Sequence, residues 1–120
     1  MPEFESSNFN NLIRKIIKKS LFTERQIEII LNQKNISQTD FRITKGAYYR
    51  QVSQSRHKLM ALFYSISLLR GLGILSPNDI DVMLKLSENI AVIKDGDVFP
   101  EKEEQVMDVI YQLVHQSCKL

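Results

Sequence analysis

The sequence predicts an all-α fold: a five-helix domain with a helix-turn-helix and a long central helix. Apolar residues recur every three or four positions in several segments, and no stretch alternates apolar and polar residues for more than a few positions. Only four Gly and three Pro interrupt the 120 residues. Signals that begin or end helices flank each apolar segment. Because 43% of the residues are hydrophobic, the chain is long enough for one core.

Charge divides the expected single domain, residues 8–120, into two halves. Residues 1–7 are predicted to be a disordered tail. Residues 1–75 contain twelve Lys and Arg against five Asp and Glu, a net charge of +7, whereas residues 76–120 contain four against nine, a net charge of −5. A basic half (8–75) beside an acidic half (76–120) favours a polyanionic partner for the basic one. The alternative is a solvated surface whose halves attract each other.

The first two helices follow from capping signals. Asn8 is expected to cap a first helix with Leu12 and Ile17 on its apolar side, and its outer Lys15 and Lys18 are candidate phosphate contacts. The alternative is a packed helix whose lysines are only solvated. Thr23 and Gln26 form a predicted capping box for a helix from Glu24 to about Gln33. This helix is expected to bury Ile27, Ile30 and Leu31. The following segment, Lys34 to Ile43, has room for one helical turn at most.

The third helix is expected to run from its cap at Thr44 to Arg70, where Gly71 and Gly73 end it. At 100° per residue, one face contains Tyr48, Val52, Ser55 and Leu59. The opposite face is polar and cationic, with Tyr49 and Arg56 on one flank; it contains Gly46, Arg50, Ser53, Gln54 and His57. Beyond Leu59, apolar residues surround the helix, so its second half is predicted to be covered on nearly all sides.

Two further helices are expected to cover that apolar end. Ser76 and Pro77 begin the fourth helix, and Pro100 begins the fifth. One small bundle is not expected to cover all the apolar residues of the third helix together with those of the last. The sequence therefore predicts a homodimer through the apolar half of the third helix and the last helix.

No pattern in the sequence predicts catalysis. His57 and His115 have no Cys or carboxylate at metal-ligand spacing, and the Gly71-Leu72-Gly73 run lacks the rest of a phosphate-binding loop. We therefore expect a non-enzymatic protein with no metal and no cofactor. The single Cys118 and the absence of a signal-peptide pattern favour a cytoplasmic protein. The longest apolar run, residues 59–69, is shorter than the roughly 20 residues of a membrane span.

The segment from Ile43 to Leu59, ITKGAYYRQVSQSRHKL, resembles the recognition helix of the promoter-binding C-terminal region of bacterial sigma factors and related archaeal regulators. Residues 22–31, FTERQIEIIL, likewise resemble the first helix of that region. The resemblance implies a helix-turn-helix that reads the major groove of DNA. It places Lys45, Tyr49, Arg50 and Gln54 at positions that the family uses for DNA.

These observations predict a DNA-binding transcription regulator. Arg50, Gln54 and Tyr49 are expected to face base edges, with Ser53 on the same surface. Arg42, Lys45, Arg56 and the lysines of the first helix are expected to meet phosphates. The acidic half supplies a surface for a transcription-machinery protein or a second copy. The alternative function is a helical protein-interaction adaptor with no nucleic-acid role, and a third is a membrane-surface binder acting through the first helix.

Overall fold

The computed structural model describes residues 9–96 and 99–120, and within them all regular structure is helical. The five helices are α1 (Asn11–Lys19), α2 (Glu24–Gln33), α3 (Lys45–Gly71), α4 (Pro77–Asp95) and α5 (Pro100–Ser117). The predicted all-α class with a long central helix is confirmed. The tail of residues 1–7 lies outside the described residues. The predicted cap at Asn8 is wrong, because α1 begins at Asn11 with Asn10 as its N-cap.

Local side-chain bonds begin the first helices. The Asn10 side chain accepts a hydrogen bond from the Ile13 backbone N–H at 2.9 Å, which caps α1. The capping box of α2 is confirmed: the Thr23 hydroxyl accepts from the Gln26 backbone N–H, and the Gln26 side chain accepts from the Thr23 backbone N–H, each at 3.1 Å. Thr44 caps α3 by accepting from the Ala47 backbone N–H at 3.1 Å.

The long helix ends as its glycines predict. Gly73 has a φ of 80°, in the left-handed region that an L side chain seldom adopts. The Gly73 N–H bonds the Arg70 carbonyl at 3.1 Å, and the Ile74 N–H reaches back to the Leu69 carbonyl at 2.8 Å. This pair of bonds is a Schellman motif, so α3 stops here and the chain turns towards Ser76. Ser76 and Asp79 then form a second capping box at the start of α4.

The chain divides into two compact units within α3. Unit 1 ends at Ser65 and contains α1, α2 and most of α3, whereas unit 2 runs from Ile66 to Leu120 and contains the end of α3, α4 and α5. In unit 1, α1 packs against α2. The apolar side chains buried in unit 1 are Leu12, Ile13, Ile17 and Ile29. In unit 2, α4 packs against α5, and Ile93 and Ile110 are buried.

Two expectations about burial are wrong. The fully buried residue of α2 is Ile29, whereas Ile27, Ile30 and Leu31 are only half-buried. The outer side of the second half of α3 is also uncovered, since Phe63, Tyr64 and Leu68 are exposed. Both differences have the same cause. Apolar spacing identifies the side of a helix that can be buried, but that side is covered only where another element packs against it.

Candidate nucleic-acid interface

The first half of α3 has an inner side and an outer side. On the inner side Ser55 is buried, and Tyr48, Val52 and Leu59 are half-buried. The outer side is fully exposed and consists of Gly46, Arg50, Ser53, Gln54 and His57. We call these five residues the outer face. The division between the two sides follows the helical spacing that the sequence shows.

Polar bonds at both ends of α2 hold the inner side of α3. The Tyr48 hydroxyl accepts hydrogen bonds from the Asn32 and Gln33 side-chain amides, each at 2.7 Å. At the other end, the Lys58 ammonium donates to the Leu21 carbonyl and to the Gln26 side-chain oxygen, also at 2.7 Å. The inner side of α3 is thus attached to α2 across several helical turns, which leaves the outer face accessible.

The connection between α2 and α3, residues 34–44, contains no helix. It begins with Asn35 in the left-handed region at a φ of 57°, where asparagine is tolerated better than most residues. Later in the connection, the Phe41 ring packs against Tyr48 at a centroid distance of 5.3 Å, and the Arg25 guanidinium lies 5.7 Å from the Phe41 ring centroid. These contacts anchor a connection that does not form even the one helical turn for which the sequence leaves room.

A cavity of 210 Å³, partly open to solvent, lies between part of α2 and α3. Its apolar wall includes Ile29, Val52 and Leu59, and Lys34 and Arg56 also line it. The Ser55 hydroxyl is buried at this cavity and has no hydrogen-bond partner in the described part of the chain. An unpartnered buried hydroxyl lowers stability, because it loses water without gaining a protein acceptor or donor.

Replacing Ser55 with alanine is therefore expected to stabilise the protein, by about 1 kcal/mol. The substitution removes the unpartnered hydroxyl and introduces the residue with the best helix propensity. The measurement is the free energy of unfolding in urea, with an unchanged denaturant slope. A loss of stability would mean that the hydroxyl is bonded in solution.

Glu28 on α2 is the second buried polar side chain whose hydrogen-bonding capacity is not fully used. One carboxylate oxygen, Oε1, lies 3.8 Å from the Arg25 guanidinium, and Oε2 is buried without a hydrogen-bond partner in residues 9–96 and 99–120. Burial raises the pKa of Glu28 above its ordinary value of 4.5; the charge of Glu24 also raises the pKa, and those of Arg25 and Arg14 lower it. The ionised carboxylate is therefore less favourable in the folded chain than in the unfolded one.

This shift fixes the sign of a pH effect. Since the folded pKa exceeds the unfolded one, the contribution of Glu28 to stability is fully present below pH 4.5 and is lost as the pH rises through the folded pKa. Glu28→Gln is thus expected to be more stable than the parent at neutral pH, with the difference shrinking towards pH 4.5. Urea unfolding of both proteins across this pH range measures the difference, and a difference that grows in acid would contradict the assignment.

The residues predicted to bind DNA fall into three groups. Arg50, Ser53 and Gln54 lie together on the outer face. Lys45, Tyr49 and Arg56 are exposed along one flank of that face, and Arg42 is exposed just before the helix. Lys15 and Lys18 are exposed on α1, a different helix, so they do not belong to the outer face.

Three other basic residues of the same half have structural contacts. Arg14 pairs with Glu24 at 3.3 Å and joins α1 to α2. Arg25 contacts Phe41 and Glu28, and Lys58 bonds Leu21 and Gln26. A count of charges along the sequence includes these residues but does not reveal their partners, because most of those partners are distant in the chain. Among the other basic residues of this half, those exposed beside the first half of α3 are Arg42, Lys45, Arg50 and Arg56, and Lys15 and Lys18 are exposed on α1.

Among residues 9–96 and 99–120, no three His, Cys, Asp or Glu side chains cluster closely enough to hold a metal ion. None of the described helices combines the length and the apolar character that crossing a bilayer requires. Comparison with known proteins gave no matching family model, no similar curated protein and no similar solved structure.

Proposed function

We propose that the chain binds double-stranded DNA through the outer face of α3. The observation that supports this is an exposed row of cationic and hydrogen-bonding side chains on a helix whose opposite side is attached to α2. A helix fits the width of the major groove, and side chains on its exposed face reach base edges there. Because α3 is already held against α2, it loses little further conformational entropy when it enters the groove.

The division of contacts follows from position on the helix. Arg50 lies at the centre of the outer face with Ser53 and Gln54 beside it, so these three side chains face the bases. Arginine pairs with guanine and glutamine with adenine through two hydrogen bonds each. Lys45, Arg56 and Arg42 lie at the margin or just before the helix, where the phosphate backbones pass.

The lysines of α1 have a different part in this proposal. Lys18 is exposed in the last turn of α1, where a positive charge also stabilises the helix dipole. Lys15 is exposed one turn earlier. On DNA, both would meet phosphates and would contribute affinity without sequence preference. The chain would act as a transcription regulator without catalytic activity, with its acidic half, residues 76–120, available to a transcription-machinery protein.

The test is fluorescence anisotropy of labelled DNA duplexes titrated with the full chain at two salt concentrations. If Arg42, Lys45, Arg56, Lys15 and Lys18 each neutralise one phosphate, affinity should fall roughly five-hundredfold between about 50 and about 200 mM salt. The logarithm of the affinity should fall linearly with the logarithm of the salt concentration. Absence of binding at the lower salt concentration would overturn the proposal.

The adaptor alternative is supported by the exposed apolar side chains of unit 2, which are suited to a protein contact. Such a contact buries apolar surface and should respond little to salt. A protein that fails to bind DNA, yet binds a protein partner with nearly the same affinity at both salt concentrations, would fit the adaptor function.

A further inference from the structure

The cavity between α2 and α3 combines apolar walls with one buried polar side chain. Its volume is 210 Å³, and its walls include Ile29, Ile30, Val52 and Leu59. Ser55 also lines the cavity; this residue is 2% exposed, and its hydroxyl has no hydrogen-bond partner in the described part of the chain. Buried hydroxyls in proteins are nearly always bonded. The Ser55 hydroxyl is therefore available to bond a molecule that enters the cavity.

Hydrogen bonds between α2 and α3 fix the two walls of the cavity. Near the start of α3, the Tyr48 hydroxyl accepts from the Asn32 side-chain amide at 2.7 Å. Further along α3, the Lys58 ammonium donates to the Gln26 side-chain oxygen at 2.7 Å. Ser55 lies between Tyr48 and Lys58 on the same helix, so the spacing of α2 and α3 is held on either side of it. A ligand can thus enter a preformed space without rearranging the helices.

The charged residues that line the cavity are both cations. Lys34 follows the last residue of α2 and Arg56 lies on α3, and both are exposed. The cavity is partly open to solvent. The apolar part of a ligand can therefore be buried while a charged group stays at the exposed side, beside these two residues. An ammonium and a guanidinium both form strong hydrogen bonds with a carboxylate, so this charge favours an acidic ligand.

The volume of the cavity sets the size of its ligand. An engineered apolar cavity of about 150 Å³ binds benzene. A cavity of 210 Å³ therefore holds one six-membered ring with small substituents. A ring also loses less conformational freedom on binding than a flexible chain of equal carbon number. Water fits less well, because a buried water makes about three hydrogen bonds and Ser55 is the buried polar side chain at this cavity.

We propose that the cavity binds a monocyclic aromatic carboxylic acid that carries a second hydrogen-bonding group. The ring packs against the apolar walls, the second group bonds the Ser55 hydroxyl, and the carboxylate pairs with Lys34 and Arg56. The site itself rests on the packing of unit 1 alone.

A regulatory consequence rests on the proposed function. Arg56 lines the cavity and is also assigned to a phosphate of DNA. A carboxylate that pairs with Arg56 competes with that phosphate, so the ligand should weaken DNA binding. By linkage, DNA should weaken the binding of the ligand by the same factor.

The site is tested with benzoate and the three isomers of hydroxybenzoate, titrated into the full chain and followed by two-dimensional NMR of its backbone amides. Ligands of about ten non-hydrogen atoms bind with dissociation constants on the order of 0.1–1 mM. At least one isomer should bind about fivefold more tightly than benzoate, because its hydroxyl gains a hydrogen bond with Ser55. The shifts should centre on residues 29–34 and 52–59. No shift with any of the four acids, at concentrations about tenfold above this range, overturns the proposal.

Ser55→Ala tests the hydroxyl contact in a variant that is expected to be more stable than the parent. It should bind the preferred hydroxybenzoate about fivefold more weakly and benzoate with nearly unchanged affinity. Benzoate is the matched control, because it lacks the group that bonds Ser55. If Ser55→Ala binds both acids as the parent does, the hydroxyl does not contact the ligand and the proposed binding mode is wrong.

Lys34→Gln tests the carboxylate contact. It should weaken the binding of all four acids by about twofold to fivefold, the range of an exposed ion pair. Lys85→Gln is the control, because Lys85 is an exposed lysine on α4 that does not line the cavity. Equal effects of the two substitutions would mean that the acids respond to overall charge and not to this site.

Val52→Phe tests the location, because the larger side chain fills the cavity. A folded variant should lose the binding of all four acids, and one that binds them with parental affinity places the ligand elsewhere and overturns the proposal. Circular dichroism shows whether the variant is folded. Ile30→Phe, at the opposite wall on α2, decides if Val52→Phe is unfolded.

A failure of the ligand site is distinguishable from a failure of the DNA-binding proposal. Ligand binding is measured without DNA, and DNA binding is measured by anisotropy without ligand. With saturating hydroxybenzoate at matched sodium concentration, DNA affinity should fall and its salt slope should drop by about one unit. Equal DNA affinities with and without the acid overturn the regulatory consequence, while the ligand site stands. A chain that binds the acid but no DNA overturns the proposed function and leaves the site intact.

Discussion

Ile29→Ala is expected to lower the free energy of unfolding by about 3 kcal/mol, since truncating a buried isoleucine to alanine costs about 2–5 kcal/mol. Ile29 is 0% exposed and lies on α2 at the wall of the cavity that faces α3. The substitution removes apolar contacts and enlarges an existing cavity of 210 Å³. Because the surrounding side chains already leave this space open, they are not expected to close around a smaller residue. Urea unfolding followed by circular dichroism measures the effect.

Ile36→Ala is the matched control. Ile36 follows α2 and is 66% exposed, so the same chemical change there should alter the free energy of unfolding by less than about 0.5 kcal/mol. Equal effects of Ile29→Ala and Ile36→Ala would show that α2 does not pack against its neighbours in this arrangement.

The burial of Ile29 also shows where the sequence is a poor guide to packing. Its neighbours three and four positions away are Arg25, Gln26, Asn32 and Gln33, so the sequence assigns Ile29 to a polar side of α2. In the structure these polar groups have partners. Gln26 bonds Thr23 and Lys58, while Asn32 and Gln33 bond the Tyr48 hydroxyl. A polar side can be buried once its groups are paired, and no helical period reveals that pairing.

The boundaries that begin α2, α3 and α4 and end α3 were predictable because their causes are local. The capping bonds of Thr23, Thr44 and Ser76 each join residues three positions apart. The left-handed Gly73 likewise depends on its own backbone. The same locality explains why the outer face of α3 could be identified, since helical spacing alone separates Arg50 from Tyr48. The Lys58 contacts could not be predicted, because they join residues 37 and 32 positions apart.

The second half of α3 is another place where the sequence does not predict the packing. Its apolar residues predict a covered helix, but the pattern does not say which surface covers it. The structure leaves Phe63, Tyr64 and Leu68 exposed. Sequence spacing thus defines a face, whereas the neighbour that covers the face depends on tertiary or quaternary packing.

Arg50→Ala is expected to lower affinity for the specific DNA site by about 1–3 kcal/mol and to have a much smaller effect on random DNA. Arg50 is exposed at the centre of the outer face. A guanidinium there can donate two hydrogen bonds to one guanine. The loss should therefore be confined to the matching sequence, which a selection from random duplexes would first identify. Anisotropy on the selected and scrambled duplexes then measures the change in specificity.

Lys18→Ala provides the contrasting result. Lys18 is exposed at the end of α1, away from the outer face, so its ammonium can meet a phosphate but is not placed to read a base. Its removal should weaken specific and random DNA alike and should reduce the salt slope by about one unit. The ratio of the affinity for specific DNA to the affinity for random DNA should change with Arg50→Ala and not with Lys18→Ala. If Arg50→Ala leaves DNA affinity unchanged at low salt while the protein stays folded, α3 does not read DNA, and the adaptor function replaces the proposed one.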